Sequence, residues 1–224
     1  EWEARDLHAR AFDASYAWTW HDTVHDIAMG KADAGALNGF HYVDENAWPK
    51  AAMRLLFTSN HDKNAWDGTQ FEAFGPALEN AIVLSFVSRG IPMIYNGQET
   101  GNRKRLAFFE KDPIEWQTHP LSELFQKLIK LRKINTTLWN GRWGADMVQV
   151  VNSSPAEIFS FVRANDKDKV FAVFNFSATK QHVSFSGTMY HGDYRDFSSG
   201  EKLSLGAKDT LELEPWSYRV FTRQ

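Results

Sequence analysis

Asn60, His61 and Asp62 stand side by side in the stretch FTSNHD, directly after the apolar run AAMRLLF. An aspartate beside a histidine at the C-terminal end of a strand can accept hydroxyl donors, and polar residues in that place build a site more readily than a core. Asn and Asp are also ordinary turn formers, so the same triplet fits a simple cap on the following loop or helix. HDTVHD (21–26) sets His and Asp four residues apart, a helix-face spacing able to hold a metal ion. Nothing nearby adds a third and fourth ligand, and the segment reads as a polar helix face. ANDKDK (164–169) has the flavour of a calcium loop but lacks its central glycine and terminal glutamate, and reads as a hairpin turn. GPAL and SRGIP do not form a phosphate loop.

The elements that must position these residues follow from the period of the apolar pattern. ARAFDASYAW reads as a short strand running into a loop at Trp18 to Asp22, and TVHDIAMGKA as helical. Residues 51–59 read as a buried strand, and the polar loop NHDKNAWDGTQFEAFG follows. Pro76 then opens a helix through ALENAIVLSFVSR, with Gly90 as its C-terminal glycine. IPMIYNG is a further strand. Residues 120–138 carry Leu121, Leu124, Phe125, Leu128, Ile129 and Leu131 at helical spacing.

Beyond Trp143 the period changes to two. MVQVVN, EIFSFVRAN, KVFAVFNFS, QHVSFSG, YRDFSSGEKLSL and DTLELEPWSYRVFTR alternate and are separated by turn residues. The spacing predicts a domain of parallel βα units over 1–140 and an antiparallel sandwich over 141–224.

Composition sets the outer limits. Of 224 residues, 43% are hydrophobic and 24% charged, and 9 Trp and 17 Phe allow a large core. A net charge of -3 leaves no basic footprint for nucleic acid and no polybasic membrane anchor. No apolar stretch reaches the roughly 18 residues that span a bilayer. Cysteine is absent, which excludes disulfides and thiolate metal sites but leaves the compartment unknown.

FTSNHD, followed about thirty residues later by GIPMIYNGQE, resembles two landmark motifs of the α-amylase family, glycoside hydrolase family 13. LAFFEKDPIEW is similar to the loop that follows the second motif there. The resemblance implies an α/β fold: the C-terminal half of a (β/α)8 TIM barrel, with the motifs on strands 7 and 8, followed by an all-β antiparallel sandwich. It implies a retaining glycoside hydrolase acting on α-glucans such as starch and maltooligosaccharides. Asp62 matches the family's third carboxylate, which holds sugar hydroxyls and stabilises the distorted transition state, and His61 matches the histidine bonded to the same sugar. Asn60 joins them as a substrate contact, and Trp66 is placed to stack on a sugar. AFD (11–13) is similar to the Phe-Asp pair of strand 6, so Glu1 best matches the general acid, with Glu3 as its neighbour in reserve. Trp2 would help supply the apolar surroundings that raise an acid's pKa.

The family's nucleophile, an aspartate two residues after an arginine on strand 4, has no match here. EWEARDLHARAFD reads as the middle of a longer protein. The expectation is therefore a fragment missing the N-terminal half of its own polypeptide, inactive alone and prone to self-association. No metal or cofactor is expected in this chain, and calcium is left open for the longer protein. The competing readings are a non-catalytic amylase-like accessory protein and an α-glucan transglycosylase.

Overall fold

The computed structural model describes residues 3–223. Three short strands, β1 (Ala14–Tyr16), β2 (Met53–Phe57) and β3 (Ile91–Met93), form one sheet in that order. Both pairings are parallel, with Ala14 opposite Met53 and Leu55 opposite Ile91. Parallel neighbours need long crossovers. α2 (Trp18–Ala28) and α3 (Ala36–Ala47) supply the first; α4 (Gln70–Phe74) and α5 (Leu78–Val87) supply the second. α1 (Arg5–Arg10) precedes β1, and α6 (Pro120–Ile134) follows the long segment after β3.

The two faces of this sheet differ. Arg54 and Leu56 of β2 are buried toward the helices, whereas Met53, Leu55, Ile91 and Met93 are only half-buried on the other face. α5 is buried almost all round, with Glu79 its one residue outside the buried set, as befits a helix with apolar side chains on every side. It ends at Val87, earlier than the sequence pattern implies, and Gly90 serves a different purpose. With φ +142°, Gly90 lies so close to β2 that a Cβ would sit 2.7 Å from the Arg54 carbonyl and 2.8 Å from Leu56 Cγ.

Several sequence expectations need correction. Trp18 to Asp22 is the start of α2 rather than a loop. The strand of 51–59 contracts to 53–57. The helix of 120–138 breaks at Asn135, whose Oδ1 accepts the Thr137 amide and starts a separate 3-10 turn, Thr136–Leu138. α3 leaves no clear sequence pattern because its apolar residues are divided: Leu37 and Phe40 are buried, while Tyr42 and Val43 are exposed.

Every regular element described after Trp143 is a strand. β4 (Val148–Gln149), β5 (Ile158–Ala164), β6 (Lys169–Asn175), β8 (Gly192–Asp196), β9 (Lys202–Leu205) and β11 (Tyr218–Arg223) make a six-stranded antiparallel sheet ordered β4-β5-β6-β11-β8-β9. β7 (Gln181–Ser184) and β10 (Thr210–Leu213) pair separately, also antiparallel. Two runs that read as single strands are each divided by a turn, at Gly200 (φ +76°) and at Trp216 (φ +52°). ANDKDK is the β5–β6 hairpin turn, closed by the Asn165 amide on the Asp168 carbonyl at 3.0 Å.

Strands β5 and β6 alternate between two cores instead of between core and water. Phe159, Phe161, Val170, Ala172 and Phe174 face the helices and share a core with Leu56, Leu84 and Leu128. Ile158, Val162, Phe171 and Val173 face the other way, into a second core with Val183 of β7 and Leu211 and Leu213 of β10. Buried Arg163 ties the first arrangement together. Its guanidinium donates to the carbonyls of Ser88 (2.7 Å), Ala145 (3.0 Å), Val87 (3.3 Å) and Trp139 (3.3 Å).

Candidate active site

The chain leaves all three parallel strands at the same end of the sheet, the end at which α/β proteins concentrate their chemistry. Tyr16 leads into Trp18 there, Phe57 into residues 58–62, and Met93 into the Tyr95–Gln98 turn. Beneath this end, the Tyr16, Trp18 and Phe57 rings pack with centroids 5.2–5.6 Å apart.

The segment after β2 divides its labour. Asn60 is fully buried; its Oδ1 accepts the Lys63 amide at 2.8 Å and its carbonyl accepts the Asn64 amide at 2.9 Å. For Asn60 the capping alternative is the one observed: it shapes the π-helical turn Lys63–Asp67 and presents no surface to a ligand. His61 and Asp62 do present surface, with side chains 44% and 35% exposed and His61 Nε2 3.6 Å from Asp62 Oδ1. Trp66 lies on the same turn, 60% exposed. Thus His61, Asp62 and Trp66 come together at one rim, and Asn60 underlies them.

Glu1 lies outside the described residues. Glu3 is engaged elsewhere: its carboxylate pairs with the buried Arg54 guanidinium and accepts the Thr19 amide at 3.0 Å. Arg54 also pairs with Asp44 at 2.6 Å and lies 3.7 Å from the centre of the Trp48 ring. The reserve assignment of the acid to Glu3 therefore loses its support, because this carboxylate neutralises a buried cation on the helix side of β2.

His21 also departs from the polar-face reading. It is buried, stacked on Phe57 at 5.1 Å and edge-on to Phe74 at 5.5 Å. Burial holds its pKa below the ordinary histidine value, although Asp22 bonded to Nδ1 opposes the shift. Asp22 is held low, first by that hydrogen bond and also by Lys63. Among the described residues, no group of three or more His, Cys, Asp and Glu side chains is arranged to hold a metal ion.

Three positioning residues escape a reading of the sequence. Lys63 bridges Asp67 at 2.9 Å and Asp22 at 3.4 Å, pinning the turn to α2. Burial opposes its charge, but these two carboxylates raise its pKa above the ordinary lysine value. Asn64, buried, accepts the Leu106 amide at 2.8 Å and donates to the Lys104 carbonyl at 3.3 Å, fastening the 104–112 segment to the site. Gln98, buried, donates to Thr58 Oγ1 and Gln70 Oε1, both at 2.8 Å, and accepts the Tyr95 amide at 2.6 Å. Gln98 sits inside a motif that the sequence already marks; Asn64 carries no local signal, since its partners lie 40 and 42 residues on, and Lys63 shows only its i,i+4 spacing to Asp67 while its bridge to Asp22 depends on the fold.

Residues 148–220 match the family described as the maltogenic amylase C-terminal domain. The chain is 27% identical over 194 residues to alpha-amylase 2 of Dictyoglomus thermophilum, covering 81% of this chain and 31% of that protein. Its fold is similar to that of a noncanonic maltogenic alpha-amylase, AmyB, from Thermotoga neapolitana, with a TM-score of 0.83, 17% identity, and coverage of 97% of this chain and 52% of the other. The alpha-amylase of Geobacillus thermoleovorans, solved with acarbose, gives a TM-score of 0.78 at 16% identity, covering 97% and 49%. The chain is thus similar to alpha-amylases along most of its length. It spans about a third of this curated relative and about half of these solved neighbours.

Proposed function

We propose that this chain is the sugar-holding part of a retaining glycoside hydrolase that acts on α-glucans. The observation that carries the reading is the placement of His61 and Asp62, half-exposed, at the C-terminal end of the central strand of a parallel sheet. The half-buried apolar face formed by Met53, Leu55, Ile91 and Met93 supports a (β/α)8 barrel, in which such a face turns inward and packs against side chains from the other strands.

In this reading β1, β2 and β3 are the barrel's last three strands, residues 1–140 are its C-terminal part, and 141–224 form the trailing sandwich. Asp62 accepts hydroxyl hydrogen bonds that strengthen as the sugar ring flattens toward an oxocarbenium-like transition state, which is differential binding. His61 donates to the same sugar. Glu1 is the general acid, and the nucleophile comes from preceding chain. In a longer polypeptide that supplies it, Asp62→Asn keeps shape and removes charge. Turnover of soluble starch should then fall by orders of magnitude with an unchanged unfolding midpoint. His61→Ala should lose roughly 10²-fold, the scale of one hydrogen-bonding catalytic group. Near-normal turnover by Asp62→Asn removes the assignment.

A further inference from the structure

Three donors converge on the Glu3 carboxylate. It accepts the Thr19 amide at 3.0 Å and also bonds the Thr19 hydroxyl and the Arg54 guanidinium. Thr19 lies in the first turn of α2, and the N-cap residue of that helix, Ala17, supplies no side-chain cap. Amides at a helix start lack partners within their own helix and favour a negative group beside them. Glu3 meets that need from 16 residues away.

Arg54 is the hub of this contact. Its side chain is 3% exposed, and its Cζ lies 3.7 Å from the centre of the Trp48 ring. Nη1 donates to Asp44 of α3 at 2.6 Å; Nη2 serves Glu3 and, at 3.4 Å, the Tyr16 carbonyl of β1. One guanidinium on β2 thus grips β1, α3 and the segment before α1, and through Glu3 it reaches the start of α2. A planar, permanently charged fork among fixed partners is a rigid reference point. Asp44 alone would neutralise it, and a second carboxylate beside the first adds repulsion. What Glu3 adds is position.

We propose that Glu3 is a positioning residue for the general acid: its clamp on Arg54 and Thr19 registers the segment that carries Glu1 against β2, the strand whose end bears Asp62. This rests on the glycosidase reading and on Glu1 as its acid. Two residues of chain span at most about 7 Å, so freeing Glu3 loosens the acid's own tether. A general acid must hold its proton within hydrogen-bond reach of the leaving oxygen, and small displacements are costly. The turn bearing His61 and Asp62 has separate supports in Asn60 and Lys63. Loosening the clamp therefore removes proton delivery and leaves the sugar contacts in place.

A leaving group that needs no proton separates the two. In the first step of a retaining reaction the acid's proton goes to the glycosidic oxygen as its bond to carbon breaks, whereas fluoride departs as an anion. In the longer polypeptide, kcat/KM, which reports this step, is measured for maltotriose and for α-maltosyl fluoride. Glu3→Ala should lower the maltotriose value roughly 10²-fold, the scale of general acid catalysis, and the fluoride value less than about 3-fold. Glu3→Gln, which keeps an oxygen for Thr19 and Arg54, should recover most of the loss; Glu3→Asp, one methylene short, should not. Thr19→Val, an exposed change that removes one contact of the three, should lose about 3-fold on maltotriose alone. Equal losses on both substrates, or unchanged maltotriose values, overturn the clamp. Where Glu3→Ala does not fold, Glu3→Asp and Thr19→Val decide. Glu1→Gln is assayed beside them. If it shows the selective loss and the Glu3 variants do not, the clamp alone falls. If Glu1→Gln spares maltotriose, the acid reading falls and the clamp with it.

Discussion

Strands β2 and β6 are each the inner strand of a sheet, and they are built for different ends. Every residue of β6, Lys169–Asn175, is buried, with antiparallel partners on both sides and a separate apolar core on each face. β2 has parallel partners on both sides, but one face is only half-covered and the chain beyond Phe57 turns polar within one residue. The contrast separates two uses of a strand. β6 is devoted to packing, and its sequence tolerates no polar interruption between Val170 and Phe174. β2 is a platform: its helix-side residues Arg54 and Leu56 anchor it, and its C-terminal end carries the groups that meet solvent.

If that division is right, damage to β6 should unfold the protein while damage beside β2 should disable the site. Phe171→Ala removes a fully buried ring packed against Phe185, Tyr190 and Phe221. It should cost about 3–5 kcal/mol in urea unfolding, against the unchanged midpoint expected of Asp62→Asn. A Phe171→Ala loss below about 1 kcal/mol would remove the contrast.

Arg163→Met probes the join between the two regions. The substitution strips the hydrogen-bond donor from four backbone carbonyls that link β5 to the end of α5 and to residues 139 and 145. Burial lowers this guanidinium to about 9, still above neutral pH, so these carbonyls accept from a charged donor whose burial is itself costly. A loss of about 2–4 kcal/mol is expected from unsatisfied buried acceptors. The denaturation curve should broaden as the regions uncouple; a sharp, unshifted transition would show that the shared core alone joins them.

His41 sharpens the same boundary through pH. It stacks on Phe159 at 5.5 Å, and its buried Nε2 has no hydrogen-bond partner. Burial, with Arg163 and Arg89 adding repulsion, lowers its pKa from 6.5 to about 3. The unfolded chain takes up this proton near pH 6.5 and the folded chain only near 3, so folding loses stability as pH falls through that window and is insensitive above it. The slope from this group is at most about 1.4 kcal/mol per pH unit. His41→Phe should flatten the stability profile between those limits; an unchanged profile would mean that His41 charges while folded.

The smallest effect belongs to α4, next to the site. Thr69 and Glu72 form a reciprocal capping box, Thr69 Oγ1 accepting the Glu72 amide at 3.3 Å and Glu72 accepting the Thr69 amide at 2.7 Å. Thr69→Ala should lower stability by about 1 kcal/mol. It should leave turnover of soluble starch unaltered, as an assay on the longer polypeptide would show.

Local pattern alone determined much of this protein. The period-two runs after Trp143 became strands because each residue's face is fixed by its parity, and the apolar spacing of 121–131 became the buried side of α6 because helical neighbours recur every three to four residues. FTSNHD marked the polar segment at the end of β2, where His61 and Asp62 meet solvent, because a polar triplet after a buried strand serves either a ligand or a cap. What depended on distant contacts stayed hidden. No neighbour of Asn60 in the chain tells that it is buried under the turn. Glu3 is drawn to Arg54 across 51 residues, and Phe108 reaches Trp66 only because Asn64 hooks a segment 42 residues on. Side-chain period is a property of the backbone and is written locally. Burial, ion pairing and the meeting of rings are decided by which segments the tertiary fold brings within a few ångströms, and only the folded chain contains that information.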